Sequence, residues 1–428
     1  MRNRVVAGAL LAAAFAGPAY AQQSDGVSPY VMNTLFIVFC GVLLMWMTAG
    51  FAMIEAGFVR GKNVVNQCAK NIGLFPIAAS AFVLSGYGIM FPSGSWVVPG
   101  VLGYDGTIKI DDVVDFSSDF VGRGHATASD IFFQSMFCVA VASIVSGTIA
   151  ERMKLSSFFI FTAILTAVIY PVQASWTWGG GFLATDLGFK DLAGSTVVHV
   201  TGGVAALTGA LFVGARNGRF VDGKKVALGN YSMPLATIGA LILWMGWYGF
   251  NAGSYLSFSS DTDAANVARI FLNTNLSAAG GVVAAAVVSY FREDRFDLAF
   301  MLNGALGGLV AITAEPLFPS PFAAFGIGLV GGLVIFWSIQ LLDYFKIDDV
   351  VGAIPVHLFC GIWGTIVVAF TNPDATLLGQ LSSVLIVISY VAIATSVVWF
   401  LLKETMGIRI ASDKEEVGID ESDFVLEN

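Results

Sequence analysis

Charge is scarce in this chain: Asp, Glu, Lys and Arg make up 12% of its 428 residues, against 56% hydrophobic ones. No soluble domain of this length needs so apolar a composition, and with a mean hydropathy of +0.78 it reads as a polytopic membrane protein. Cysteine is rarer still. Cys40, Cys68, Cys138 and Cys360 sit in apolar segments without metal-ligand spacing, which argues against a metal motif and leaves packing as their role. A positive excess is also lacking. The net charge of −9 argues against a nucleic-acid partner, and the acidic residues cluster in one loop (Asp105, Asp111, Asp112, Asp115, Asp119) and in the tail. Glycine is abundant, at 48 residues, yet none stands between a strand and a helix as a phosphate-binding loop requires. Small-x-x-x-small spacings such as Gly304 to Gly308 and Gly328 to Gly332 point instead to close helix packing.

Arg2 and Arg4 precede a short apolar run, Val5 to Ala16, and then Ala19-Tyr20-Ala21. That is the form of a secretory signal, so residues 1–21 are expected to be a cleaved signal peptide, with the mature amino terminus outside. Hydropathy and breakers then predict eleven helices, over about 32–57, 67–91, 128–150, 155–176, 192–214, 229–257, 269–290, 297–313, 323–342, 351–371 and 378–403. An odd number of crossings puts the carboxyl terminus inside. Basic residues agree: Arg60, Lys62, Arg152, Lys154, Arg216, Arg219, Lys224, Lys225, Arg292, Arg295, Lys346, Lys403, Arg409 and Lys414 fall inside, and only Lys109, Arg123, Lys190 and Arg269 fall outside. The expected fold is an all-α polytopic membrane protein with a membrane domain over 22–403 and a cytoplasmic tail over 404–428.

Of three histidines, His199 and His357 lie inside membrane-length apolar stretches, and each follows an aspartate by eight positions, Asp191 and Asp349. Each is preceded by valine and followed, four residues on, by glycine. If helices one to five and six to ten are two copies, five crossings per copy force an inverted repeat, and the histidines meet at mid-depth. Ionisable groups at that depth are costly and usually serve a pathway or a cofactor. Three readings stand open on these residues alone: axial ligation of a haem, a hydrogen-bonding rail in a narrow pore, or two unrelated buried histidines. Asp191 and Asp349 suit the start of a helix, as caps. His125 reads as a solvated loop residue, and Glu55 as pairing with Arg60 or Lys62 or as shaping the inner exit.

Aromatic residues flank polar or glycine-rich strings: Phe133-Gln134-Ser135-Met136-Phe137, Trp176-Thr177-Trp178-Gly179-Gly180-Gly181 and Gly246-Trp247-Tyr248-Gly249-Phe250-Asn251-Ala252-Gly253-Ser254. Together with Asp191-Leu192-Ala193-Gly194-Ser195-Thr196-Val197-Val198-His199 and the second histidine segment, these closely resemble the ammonium transporter family (Amt/Mep/Rh) from about residue 30 to 410. The resemblance implies an outer ammonium site at Trp178, Phe137 and Ser254, a phenylalanine gate at Phe137 and Phe250, and a twin-histidine pore and proton route at His199 and His357. Asp191 becomes the structural support of the outer site. Aromatic faces attract a desolvated cation by ~1–2 kcal/mol each, and a serine oxygen accepts an N–H bond.

What the resemblance further implies is transport rather than catalysis, in a bacterial inner membrane, without a cofactor or metal. Ammonium is taken up outside and deprotonated, and ammonia crosses the pore. An ammonium sensor with little flux is the alternative. A bis-histidine haem electron carrier is a remote one. The family implies a homotrimer with one pore per subunit and a cytoplasmic PII-type regulator. Gly407-Ile408-Arg409-Ile410 resembles the start of the usual tail, but Glu421-Ser422-Asp423-Phe424 stands where the familiar His-Gly-Glu segment is expected.

Overall fold

The computed structural model describes residues 28–106 and 124–425. The expected signal peptide and the loop residues Lys109, Asp111, Asp112, Asp115, Asp119 and Arg123 lie outside the described residues. Among the described residues are eleven apolar helices: α1 (Pro29–Phe58), α2 (Gly61–Met90), α3 (Thr127–Thr148), α4 (Leu155–Ser175), α5 (Ser195–Val213), α6 (Met233–Gly253), α7 (Asp261–Glu293), α8 (Leu298–Thr313), α9 (Pro321–Tyr344), α10 (Ile354–Thr371) and α11 (Leu377–Thr405). All but α8 are long enough to cross a membrane.

Helix starts are closed by the side chains the sequence places there. Ser232, Ser260, Asp297, Ser320 and Thr376 each accept an N–H from three residues on. The two histidine helices are closed more thoroughly. Asp191 accepts the N–H groups of Gly194 and Ser195 on one oxygen and of Thr196 and Val197 on the other, all at 2.8–2.9 Å. Asp349 accepts from Gly352 and Ile354, at 3.1 and 2.7 Å, and from the Thr148 hydroxyl. Free N–H donors at a buried helix start are thereby satisfied without water. Beyond each cap the helix opens into a π-turn, over Ser195–Val200 and Ile354–Phe359, and both histidines lie in it. Sequence spacing does not foretell that widening, because the propensities of Ser, Thr and Val do not distinguish it from an ordinary helix.

The hydrogen bonds fix the relative direction of these helices. α5 starts beside Trp178, whose indole N–H reaches the Asp191 carbonyl at 2.9 Å, and ends near Arg216. α10 starts beside Asp348, which holds Arg216, and ends near Asn372, which bonds Glu315 next to the Ala314 carbonyl that receives the Leu192 N–H. α5 and α10 therefore run antiparallel, as an inverted repeat requires.

Glycine sets their separation. A Cβ on Gly203 would lie 2.5 Å from the Leu358 backbone nitrogen, and one on Gly361 would lie 2.6 Å from the Ser195 carbonyl oxygen. The glycine that follows each histidine by four residues thus admits the backbone of the other histidine's helix. Elsewhere Gly304, Gly308, Gly328 and Gly332 bring α8 and α9 onto α7 at similar range. Replacing Gly203 by alanine is expected to destabilise the fold by about 1–3 kcal/mol, as overpacking does. The thermal midpoint of the purified protein should fall, whereas Gly326→Ala, where a Cβ meets nothing within 4 Å, should leave it unchanged.

Candidate functional site

At the Trp178 end a cavity of 370 Å³ is lined by Phe133, Gln134, Phe137, Trp178, Leu192, Ser254, Tyr255, Leu256 and Ser257. Trp178 is held by its bond to Asp191, so the capping residue of α5 also orients the indole. The Ser254 hydroxyl donates to the Phe250 carbonyl at 2.8 Å, which leaves its lone pairs free to accept. Leu256 adopts φ 62°, a conformation unusual for a branched residue, in the turn that follows α6.

The floor of this cavity is aromatic. Phe137 meets Trp178 edge to face with centroids 5.6 Å apart, and Phe250 at 4.6 Å. Phe137 and Phe250 are both buried. Below them His199 lies against Phe250, at 5.2 Å and 19°, and Trp247, at 5.0 Å and 21°, and those two rings are themselves 5.5 Å apart. The Trp247 N–H is taken by the Thr313 hydroxyl at 2.8 Å, which fixes this second stacking partner.

His199 and His357 face each other with their Nδ1 atoms 3.1 Å apart. At that distance one Nδ1 carries the hydrogen and the other presents its lone pair, so the neutral rings hold opposite tautomers. One Nε2 then accepts and the other donates. The same distance leaves no gap for a metal between the two Nδ1 atoms. A metal between two imidazoles needs roughly 4 Å between ligating nitrogens, at about 2.0–2.1 Å per bond, besides space for a ring.

The polar clusters depart from the sequence reading at two points. Glu55 pairs with neither Arg60 nor Lys62; it lies against Lys70 and Ser146, buried between helices. Arg60 pairs instead with Glu151, and Lys62 donates to the Glu415 and Glu416 carbonyls of the tail. His125 is buried, not solvated, beside Ser129 and the Ala126 carbonyl. A signal for Lys70 was present in Asn66, Gln67, Lys70 and Asn71, a polar stripe at helical spacing in an otherwise apolar run.

Arg60, Glu151, Arg152, Arg216, Arg219 and Asp348 gather at the opposite end from Trp178. Arg216 bridges Glu151 at 2.6 Å and Asp348 at 2.8 Å. The tail packs on this basic end: Asp420 accepts the N–H groups of Val65 and Asn66 at 2.9 and 2.7 Å, and Glu415 joins Arg409 to the Asn217 N–H.

A profile of the Ammonium Transporter Family matches residues 35–427. The chain belongs to this family. The ammonium transporter Amt2 of Archaeoglobus fulgidus is 35% identical, over 96% of this chain and 91% of its own, and the ammonium transporter of Bacillus subtilis is 32% identical, over 91% and 96%. Among solved structures, one titled a sensor Amt protein superposes with a TM-score of 0.85 at 31% identity, covering 93% of this chain and 99% of its own. Mep2 of Candida albicans, at 24% identity and a TM-score of 0.79, shares the fold. The chain is thus a multi-pass membrane protein of the ammonium transporter family.

Burial pushes the Asp348 carboxyl up, but the Arg216 guanidinium bonded to it and the Arg152 charge overcome this and hold it well below the usual carboxylate range. A depressed carboxylate stabilises the fold above its unfolded value of about 3.9 and loses that contribution only as pH falls through its lower folded value. Asp348→Asn, which leaves Arg216 half-paired, is expected to destabilise by about 3 kcal/mol. The gap in thermal midpoint between wild type and variant should stay constant from neutral pH down to about pH 5 and narrow in stronger acid.

Proposed function

We propose that this chain carries ammonium across a bacterial inner membrane selectively, through the passage from Trp178 to His357. The observation that carries the reading is the unbroken sequence of groups: an aromatic cavity with a free serine acceptor, a buried phenylalanine pair, and two histidines in direct contact. Ammonium is recruited against Trp178 and Phe137, with the Ser254 oxygen accepting one N–H. It cannot descend charged, because a charge at mid-membrane costs at least ~2.5–3.5 kcal/mol even on insertion scales. Deprotonation near the Phe137 and Phe250 gate lets ammonia pass, and the histidine pair offers it a donor and an acceptor while the proton takes a polar route. Asp191 supports the site by fixing both α5 and the Trp178 indole.

In this reading Trp178 faces outward, residues 1–21 are a cleaved signal peptide, 22–403 form the transport domain and 404–428 the cytoplasmic tail. The protein acts as a homotrimer with one pore per subunit. The docked tail offers a PII-type regulator a surface next to Arg60 and Arg216. A second reading, an ammonium sensor conducting little, is favoured by one observation, the likeness at 31% identity to a structure titled a sensor Amt protein.

Current and internal pH after an ammonium jump in proteoliposomes separate these readings. A protein-dependent current means net charge transport, and alkalinisation without current means ammonia conduction. Neither signal in folded protein favours the sensor. His199→Ala together with His357→Ala is expected to lower ammonium flux or its selectivity over K+, and unchanged values of both would reject the histidine role. Trp178→Leu should weaken apparent affinity roughly five- to thirtyfold, the equivalent of about 1–2 kcal/mol of cation–aromatic attraction; an unaltered concentration dependence would make the indole a packing residue only.

A further inference from the structure

The two halves of the chain end their third helix alike, yet the two ends differ in charge. α3 is followed by Ala150-Glu151 and α8 by Ala314-Glu315. Both carboxylates are buried, and each is held by a residue that follows a histidine helix, Arg216 after α5 and Asn372 after α10. At the basic end Glu151 meets two guanidinium groups, those of Arg60 and Arg216, besides the Asn63 amide. Glu315 meets none among the described residues. Asn372 donates its amide to one oxygen at 2.7 Å, and the Leu317 and Phe318 N–H groups approach the other at 3.3 and 3.4 Å. Every one of these partners is a neutral donor, which suits a carboxylate and leaves its charge uncancelled. Lys190 and Arg269, the described basic residues on this side, are exposed to solvent, and Arg269 donates to the Phe318 carbonyl at 3.4 Å.

Glu315 stands behind the wall of the Trp178 cavity. The neighbouring Ala314 carbonyl accepts the Leu192 N–H at 2.8 Å, and Leu192 lines the cavity. Leu317 packs on the same apolar cluster as Leu192 and Tyr255, another wall residue. The Asn273 amide donates to the Pro316 and Pro319 carbonyls, both at 2.9 Å, so the loop holds the carboxylate in one place. Burial pushes the Glu315 carboxyl up, its three donors draw it back, and the Asp191 charge pushes it up again, so the two carboxylates feel one another. A buried charge acts through a low dielectric and is poorly screened by salt, so it reaches a cation that it does not touch.

We propose that Glu315 sets the affinity of the outer cavity for ammonium, through the negative potential that a buried carboxylate without a paired cation lends the Trp178 side. It is a positioning residue and touches no solute. Ring faces and the Ser254 hydroxyl make the contacts, and the field behind them favours the charged solute over a neutral one. That attraction ends when the solute loses its proton, so ammonia is not held back. Glu151 cannot act in this way at the basic end, because Arg60 and Arg216 cancel its charge. The inference rests on the reading that the cavity receives ammonium as a cation.

The test measures flux against external ammonium in proteoliposomes for wild type, Glu315→Gln and Asn372→Lys, with gel filtration and a thermal melt to verify each fold. Glu315→Gln removes the charge at constant shape. Asn372→Lys keeps the carboxylate bonded but gives it the cation that Glu151 has. In both variants the half-saturating concentration is expected to rise about five- to tenfold while maximal flux stays near the wild-type value. A residue that merely fastened its loop to the end of α10 would keep wild-type saturation in Asn372→Lys, which preserves that bond. Wild-type half-saturation in either folded variant would overturn the role and leave the transport reading standing, and should one variant not fold, the other decides. A fall in maximal flux at unchanged half-saturation would make Glu315 a structural residue and overturn the role equally. Absence of flux in folded wild type would overturn the transport reading, and this role with it.

Discussion

Two helices must touch at the centre of the molecule for the histidines to meet, and the rest of the passage depends on that contact. Their backbones approach because Gly203 and Gly361 carry no side chain where the partner's backbone passes. Packing two helix starts into a protein interior also buries N–H groups that water cannot reach, and Asp191 and Asp349 answer that need. The π-turns lie immediately beyond these caps, where the histidine rings project. Cap, widened turn, ring and glycine recur in that order on both helices. The Nδ1 to Nδ1 distance of 3.1 Å is the geometric result.

Charge is distributed around this contact with the same economy. Among the described residues the basic end carries a continuous network through Glu151, Arg216 and Asp348, which ties the loops after α1, α3, α5 and α9 to the tail. Asp348 and Glu151 are buried, and each is held by arginines at short range. At the other end the cavity is walled by aromatic and uncharged side chains, and the Asp191 carboxylate beside it is turned to the N–H groups of α5. A full carboxylate aimed into the outer cavity would bind a cation more tightly and release it more slowly. In the proposed reading, ring faces and one hydroxyl bind weakly enough to pass the solute on.

Much of this was legible in the sequence, for physical reasons. Membrane spans declare themselves by length and hydropathy, so most helices could be placed within about four residues of their observed bounds, although α2 and α7 start six and eight residues before the expected positions, and the paired Asp–His–Gly spacing marked the two helices whose histidines touch. The positions of Phe137 and Phe250 needed the family resemblance, since neither stands out among 35 phenylalanines. What escaped was set by tertiary contact. Arg60 and Lys62 are the basic residues nearest to Glu55 in sequence, but they lie past the helix end and face the tail and Glu151, while Lys70 reaches Glu55 across the helix interface. His125 reads as solvated only while its loop is imagined free of packing. The π-turns depend on what caps the helix and what lies across from it, and no local propensity encodes that.

In the proposed reading, selectivity in such a passage follows from what each stage demands. The outer cavity accepts any small cation attracted to aromatic faces, but Ser254 rewards a donor of N–H bonds, which a metal ion is not. Beyond it, Phe137 and Phe250 close the way with rings in van der Waals contact, and a cation entering there would give up water for a nearly apolar wall. An ion without a removable proton has no means to avoid that cost. Ammonium does, because loss of one proton leaves a neutral molecule that can still donate and accept at the histidine pair. Recognition at the aromatic end and rejection at the gate thus rest on different properties of the same solute, its N–H donors and its acidity, and only a species with both satisfies the two stages in turn.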